Sequence, residues 1–387
     1  MKKVAVVTGT RAEFGLLAPI MHGIKASNSM ELQLIVTGAH LLPNFGLTID
    51  EIIGEGLVVN RTVGEISSAE NGRDVALQVG AGTMSFTSAI GELNPDAIVL
   101  LGDRYELLSA ATAAFFLEVP IVHLHGGEVT RGSFDDTIRH VVSQLASMHA
   151  VAAPEYATRL IKAGAHPSSV HVVGGLGVDR LSNTEMISRD ALGEELGFAL
   201  EGPLLLVTYH PVTGLKHQTE QEIRALVAAL ASVGNATVVF TLPNADPEHH
   251  VIVAEIQKAV EKRPQWHYFA SLGAQRFHSL MGVASAVVGN SSSGILEAPA
   301  LGVPAVNIGP RQEGRLMARS VISCGTAQEE IADAIRQTFE PQFRSSLRGM
   351  EHPYGTPGAA NRVLTLLENT QFDSIQRPAY YDFNDAC

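Results

Sequence analysis

Short β-branched runs alternate with longer periodic segments almost from one end of this chain to the other, and that alternation restricts its fold more than any other feature. Runs without polar interruption suit strands covered on both faces, the situation of a parallel sheet crossed by helices. In the first half they are Val4–Thr8, Leu32–Thr37, Ala97–Leu101, Ile121–Leu124, Ala150–Ala153 and Val170–Val173. In the second they are Leu204–Thr208, Thr237–Thr241, Ala286–Val288 and Ala305–Ile308, with a weaker one at His267–Phe269. The pattern predicts an α/β protein, and 387 residues are too many for one ordinary core. Glycine and polar residues from Gly174 to about Thr184 interrupt the alternation and place a domain boundary there. Two Rossmann-like domains are expected, 1–178 and 179–367, with 368–387 returning to complete the first.

Charge narrows the partners. With 27 basic and 40 acidic side chains the net charge is −13, which opposes non-specific binding to nucleic acid or to an anionic membrane. A phosphate ligand must therefore be held locally, by helix N-termini and a few arginines. Cys324 and Cys387 are the only cysteines and form no CxxC, so neither a disulfide framework nor a zinc site is supported. The apolar stretch Leu107–Leu117 stops at Glu118, well short of the ~20 residues of a membrane span. Val4–Val7 after Met1-Lys2-Lys3 is too short for a signal peptide. These observations predict a soluble cytoplasmic protein.

Ligands of open parallel sheets bind beyond the carboxyl ends of the strands, where loops vary freely and helix N-termini point inward. The unusual polar residues fall at those places. Thr8-Gly9-Thr10-Arg11, Thr37-Gly38-Ala39-His40, Gly102-Asp103-Arg104 and His125-Gly126-Gly127-Glu128 follow strands of the first half. Tyr209-His210-Pro211, Pro243-Asn244-Ala245-Asp246, Gly289-Asn290-Ser291-Ser292-Ser293-Gly294 and Gly309-Pro310-Arg311 follow strands of the second. Two such rims imply a cleft between the domains.

The turn from Gly289 to Gly294 offers backbone N–H groups and hydroxyls to a phosphate, with Asn290, Ser291 and Ser292 as its candidate contacts, although Asn290 or a serine there also serves as an ordinary helix cap. Glu297, read as nearly two turns down the following helix, is placed to accept both hydroxyls of a ribose. Arg311 and Arg315 supply forked cations for a diphosphate. His210 is either a phosphate donor or a satisfied turn histidine. Asp103 and Glu128 stand at strand ends, where a buried carboxylate is costly unless used or paired. From Ser133 a helix opens with apolar stripe Ile138, Val141, Val142, Leu145 and Met148, leaving Asp136, Arg139 and His140 on the opposite face and Asp135 at its flank. That cluster is denser in titratable groups than a helix cap requires. No GxGxxG follows the first strand, no GxxxxGK[ST] occurs, and no metal-ligand spacing is present. Arginines and a helix end for a diphosphate, beside carboxylates and histidines, point to proton-transfer chemistry on a sugar nucleotide without metal or cofactor.

Taken together, Thr8-Gly9-Thr10-Arg11-Ala12-Glu13-Phe14-Gly15, Gly102-Asp103-Arg104, Gly126-Gly127-Glu128, Asp135-Asp136-Thr137-Ile138-Arg139-His140, Gly289 to Gly294 and Arg311-Gln312-Glu313-Gly314-Arg315 resemble the hydrolysing UDP-N-acetylglucosamine 2-epimerases. Relatives acting on UDP-N,N′-diacetylbacillosamine share the pattern. The resemblance implies the glycosyltransferase-B architecture, and elimination of UDP across C1–C2 to a glycal followed by hydration to the C2-inverted free sugar. It assigns acid/base roles to Asp103 and Asp135. It also assigns nucleotide or diphosphate contacts to Arg11, Arg104, His210, Asn244, Ser291, Ser292, Glu297 and Arg311. A homo-oligomer, dimer or tetramer, is expected as well. One departure stands out: many relatives carry Glu where this chain has His125, so the proton-transfer role falls either on His125 or on Glu128.

Overall fold

The structure, a computed structural model, describes residues 1–43, 46–64, 72–130, 134–182, 184–212, 218–243, 248–375 and 378–382. The chain divides into two compact units. The first comprises Met1–Glu128, Phe134–Arg180 and Gly355–Cys387; the second comprises Leu181–Tyr354 with the short stretch Val129–Ser133.

The first unit is built on seven parallel strands in the order β3-β2-β1-β4-β5-β6-β7. They are β1 Lys2–Thr8, β2 Met30–Thr37, β3 Val59–Val63, β4 Ala97–Leu101, β5 Ile121–Leu124, β6 Met148–Val151 and β7 Val170–Val172. The helices are α1 Arg11–Ala26, α2 Ile49–Gly54, α3 Gly72–Leu93, α4 Tyr105–Phe116, α5 Phe134–Leu145, α6 Pro154–Lys162 and α7 Leu176–Ser182, whose last residues enter the second unit. Strands β8 Leu204–Thr208, β9 Thr237–Thr241, β10 Trp266–Phe269, β11 Ala286–Gly289, β12 Ala305–Ile308 and β13 Val321–Cys324 form the second sheet, ordered β10-β9-β8-β11-β12-β13 and again parallel. Its helices are α8 Arg189–Leu196, α9 Thr219–Ser232, α10 His249–Val260, α11 Gly273–Val283, α12 Ser293–Leu296, α13 Gln328–Phe339 and α14 Pro341–Ser346. Helix α15, Ala359–Asn369, returns to the first unit. Among the described residues no helix is long and apolar enough to cross a membrane.

Each sheet is covered on both faces. Val4, Val6, Leu34 and Val99 pack with α1 on one side of the first sheet, while Ala5, Val7, Ile98 and Leu100 pack with α3 and α4 on the other. Both strands absent from the sequence reading, β3 and β13, are edge strands. An edge strand is covered less than its inner neighbours, and β3 reads Val-Asn-Arg-Thr-Val with Arg61 and Thr62 exposed. The run expected at Ala150–Ala153 pairs two residues earlier, at Met148–Val151.

The crossing between units lies at Arg180/Leu181, and residues 355–367, expected in the second domain, belong to the first unit. The cause is apolar. Ala360, Val363 and Leu367 of α15 join Leu17, Ile20, Met21 and Ile24 of α1 in one core. The buried Asp179 carboxylate caps α15, accepting the Gly358 N–H at 2.5 Å and the Ala360 N–H at 2.6 Å.

Helix α1 begins with a capping box: Thr10 Oγ1 accepts the Glu13 N–H at 3.3 Å, and Glu13 Oε2 accepts the Thr10 N–H at 3.2 Å. In the second unit Gly289, the last residue of β11, has φ +139, and an added Cβ there would lie 1.9 Å from the Thr208 carbonyl oxygen. Only glycine fits there. Gly289→Ala is therefore expected to destabilise the protein by on the order of 2 kcal/mol, read as a fall in Tm; an unchanged Tm would mean that β8 and β11 can separate at this point.

Candidate active site

In the first unit, adjacent strands β4 and β5 deliver Asp103 and Arg104 from one turn and His125 and Glu128 from the next. The two turns are tied to α5 by His123, which is fully buried in β5. Its Nε2–H donates to the Gly102 carbonyl at 2.8 Å, so Nδ1 accepts the Ser143 hydroxyl of α5 at 3.0 Å. Burial pushes its pKa down to about 4, which keeps the ring neutral and that donor/acceptor order in place.

The first turn of α5 carries Asp135 and Asp136, and one turn later Arg139 departs from the face expected for it. It is 2% exposed. Its guanidinium donates to the Asp103 carboxylate and lies 3.5 Å from Asp136 Oδ1. Two carboxylates make that burial tolerable where periodicity alone puts arginine in water. Correspondingly Val141, expected on the apolar stripe, is 40% exposed. Met148 opens β6 instead of extending the helix. His140 stays at the surface side, its Nε2 3.9 Å from Asp136 Oδ2, and burial lowers its pKa against the pull of that carboxylate.

His125 adopts the left-handed conformation with φ +60. Its Nε2 accepts the Leu176 N–H at the start of α7, 3.3 Å away. The remaining nitrogen, Nδ1, therefore carries the proton and donates to Glu128 Oε1 at 2.8 Å. Glu128 is buried, so this N–H answers part of its need for a donor. Both ring nitrogens of His125 are thus engaged.

Arg104 pairs with Glu106, which is 2% exposed at the head of α4. Arg11, by contrast, forms a surface pair with Glu51 at 3.0 Å. Sequence reasoning missed Glu106 and Glu13. The signal for Glu106 was a lone carboxylate in an otherwise uncharged helix running to Phe116. Glu13 Oε2 also accepts the Gly9 N–H at 2.9 Å. Burial raises its carboxyl pKa to about 7, against the lowering effect of Arg104.

In the second unit the rim is organised by Asn290, which is fully buried. Its Oδ1 accepts the His210 N–H at 2.7 Å and its Nδ2 donates to the His210 carbonyl at 2.8 Å. The Asn290 carbonyl accepts from Arg311 Nη1 at 3.0 Å and from Gln312 Nε2 at 2.9 Å. Asn290 thus holds the rim together, a different use from the ligand contact expected of it. Gln312, also missed, shares that work. The His210 ring is neutral, its pKa pushed down to about 3 by burial and then by Arg311, and its buried Nδ1 has no hydrogen-bond partner among the described residues. Ser291 Oγ bonds Ser293 Oγ at 3.0 Å, and Ser292 precedes α12. That helix has four residues, so Glu297 lies just past its end and not two turns along it. Its Oε1 is 3.6 Å from Nε2 of the buried His278. Asn244 and Ser133 lie outside the described residues.

Two parallel α/β units whose polar groups gather at strand ends define a doubly wound α/β protein with its candidate site groups where such sheets bind ligands. The family model described as UDP-N-acetylglucosamine 2-epimerase matches residues 22–368, and the chain belongs to that family. It is 34% identical over 383 residues to the GDP/UDP-N,N′-diacetylbacillosamine 2-epimerase (hydrolyzing) of Campylobacter jejuni, covering 98% of this chain and 99% of that one. With the UDP-N-acetylglucosamine 2-epimerase of Neisseria meningitidis serogroup B it shares 33% identity over 343 residues, 87% of each chain. Among solved structures, the Methanocaldococcus jannaschii UDP-GlcNAc 2-epimerase in complex with UDP-GlcNAc and UDP superposes with TM-score 0.78 at 17% identity, over 95% of this chain and 100% of the other. That likeness supports the fold.

The Glu13 carboxyl yields a stability prediction with a definite sign. A carboxyl raised from 4.5 to about 7 binds its proton more tightly in the folded protein, so its contribution is fullest at low pH and is lost as pH rises towards 7 and beyond. Glu13→Gln keeps an acceptor for Gly9 and Thr10 without the charge. The Tm of the variant, relative to wild type, should rise by about 3 °C or more between pH 5 and pH 8. An equal difference at both pH values would mean that Glu13 is ionised throughout.

Proposed function

We propose that this chain hydrolyses a UDP-activated 2-acetamido sugar with inversion at C2, converting UDP-N-acetylglucosamine and water to UDP and N-acetylmannosamine. The observation that carries this reading is the set of carboxylates in the first unit: Asp103 held by Arg139, Glu128 held by His125, and Asp135 and Asp136 in the first turn of α5. In the first half-reaction a base removes H2, the C1–oxygen bond to the diphosphate breaks, and the electron pair of C2–H becomes the C1–C2 double bond of a glycal. Water then adds at C1 while a proton is delivered to C2 from the opposite face. Asp103, Glu128 and Asp135 are the groups suited to these transfers, with Arg139 orienting Asp103, and His140 next to Asp136. His125 supplies an N–H to Glu128.

The nucleotide falls to the second unit. His210, Ser291, Ser292 and Arg311 suit the diphosphate, and Glu297 the ribose, with Asn290 holding the loop and Asn244 assigned by resemblance alone. Arg11 and Arg104 of the first unit add positive charge for the leaving group. The likeness to the Campylobacter diacetylbacillosamine 2-epimerase favours a second substrate, UDP-N,N′-diacetylbacillosamine, for the same reaction.

Incubation of each nucleotide sugar in D2O, followed by mass spectrometry and NMR, tests the reading. The expected products are UDP and a C2-inverted free sugar carrying one deuterium at C2. Asp103→Asn and Glu128→Gln should still bind UDP yet lose about 10²-fold or more in kcat. Protium at C2, or epimerised nucleotide sugar without release of UDP, would contradict it.

A further inference from the structure

Arg104 is gripped along one edge and open along the other. Its Nε donates to Glu106 Oε2 at 3.3 Å and its Nη2 to Glu106 Oε1 at 3.3 Å, a two-point clamp matching the planar fork to a carboxylate. The Glu106 side chain is 2% exposed and that of Arg104 is 41% exposed, so the clamp holds Arg104 from a buried carboxylate while the arginine side chain keeps contact with solvent. The ring of Tyr105 lies 5.6 Å from the guanidinium carbon, and the Tyr105 hydroxyl donates to Gln78 at 3.1 Å. Glu106 is itself confined, since a Cβ on Gly38, which has φ +60, would come within 2.9 Å of Glu106 Oε1. Glu13 and Asp135 add their fields, and together these carboxylates hold Arg104 more firmly cationic than usual despite its burial.

A buried carboxylate with one cationic partner is an expensive way to stabilise a helix start, because desolvation offsets much of the attraction. It is an effective way to stop a long side chain from wandering. We infer that Glu106 is a positioning residue that presents the outer edge of Arg104 to the leaving diphosphate. This rests on the functional reading above, in which Arg104 meets the diphosphate, and extends it to a residue that touches no substrate atom. Without Glu106, Arg104 keeps its charge and loses its aim.

Titration calorimetry of the full chain with UDP and with uridine, which lacks the phosphates, separates aim from fold. Glu106→Gln should weaken UDP about tenfold or more, leave uridine within about twofold, and raise KM more than it lowers kcat. In an Arg104→Ala background the same change should add less than about twofold, because the group it positions is gone. Equal losses for UDP and uridine, or a full loss in the Arg104→Ala background, would overturn the inference. Should Glu106→Gln fail to fold, Glu106→Asp keeps the charge one methylene short and is held to the same comparison, with a smaller loss of UDP expected. Wild-type protein that binds no UDP would overturn the functional reading itself. UDP binding that Arg104→Ala leaves untouched would overturn this inference alone.

Discussion

The ion pair between Asp103 and the buried guanidinium of Arg139 is the interaction on which the first unit's site depends. Arg139 is one turn along α5 from Asp135 and Asp136, and Asp103 is two residues past β4, so the pair sets α5 against the end of the sheet. Removing one partner would strand a charge in a poorly hydrated place, which is why such pairs break at far greater loss than they form gain. His123 ties the same two elements a second time through neutral groups, the Gly102 carbonyl and the Ser143 hydroxyl. The carboxylates around Asp103 are thus carried on a frame whose polar groups have protein partners.

The second unit repeats the device with different chemistry. There Asn290 uses its amide on the His210 backbone and its carbonyl on Arg311 and Gln312. In both units a fully buried polar residue fixes the loops that carry the proposed ligand groups: His123 those of Asp103 and Glu128, Asn290 those of His210 and Arg311. A buried polar group is affordable only when its hydrogen bonds are made, and making them to backbone leaves little freedom of register.

That division explains what was legible in the sequence. Inner strands announced themselves because burial on both faces demands uninterrupted apolar runs, and strand-end loops followed from the strands. Of the four edge strands, β7 and the weaker β10 were read, while β3 and β13 were not, since exposed polar residues such as Arg61, Thr62 and Ser323 break their runs. Arg139 was assigned to the wrong face because periodicity describes hydrophobicity, and only a tertiary partner such as Asp103, 36 residues away, makes a buried guanidinium stable. Glu106 and Gln312 escaped for the same reason, each deriving its importance from a neighbour that local sequence does not reveal. Helix α15 could not be allotted to its unit because an amphipathic segment does not say which core it completes.

His125, by resemblance a departure from the Glu that many relatives carry, is where the hydrogen bonds separate a donor from a base most sharply. With Nε2 occupied by the Leu176 N–H and Nδ1–H given to Glu128, the imidazole is a donor that steadies the carboxylate, and the proposed mechanism leaves the proton transfer at this place to Glu128. Asparagine tolerates the left-handed backbone at this position and places an amide N–H near that of Nδ1. The most direct measurement is deuterium incorporation at C2 and turnover by His125→Asn in D2O. The account predicts labelled product at a rate within about tenfold of wild type, as expected when a donor is kept and no base is lost. A folded His125→Asn protein that binds UDP yet incorporates no deuterium would contradict it and make the imidazole itself the base.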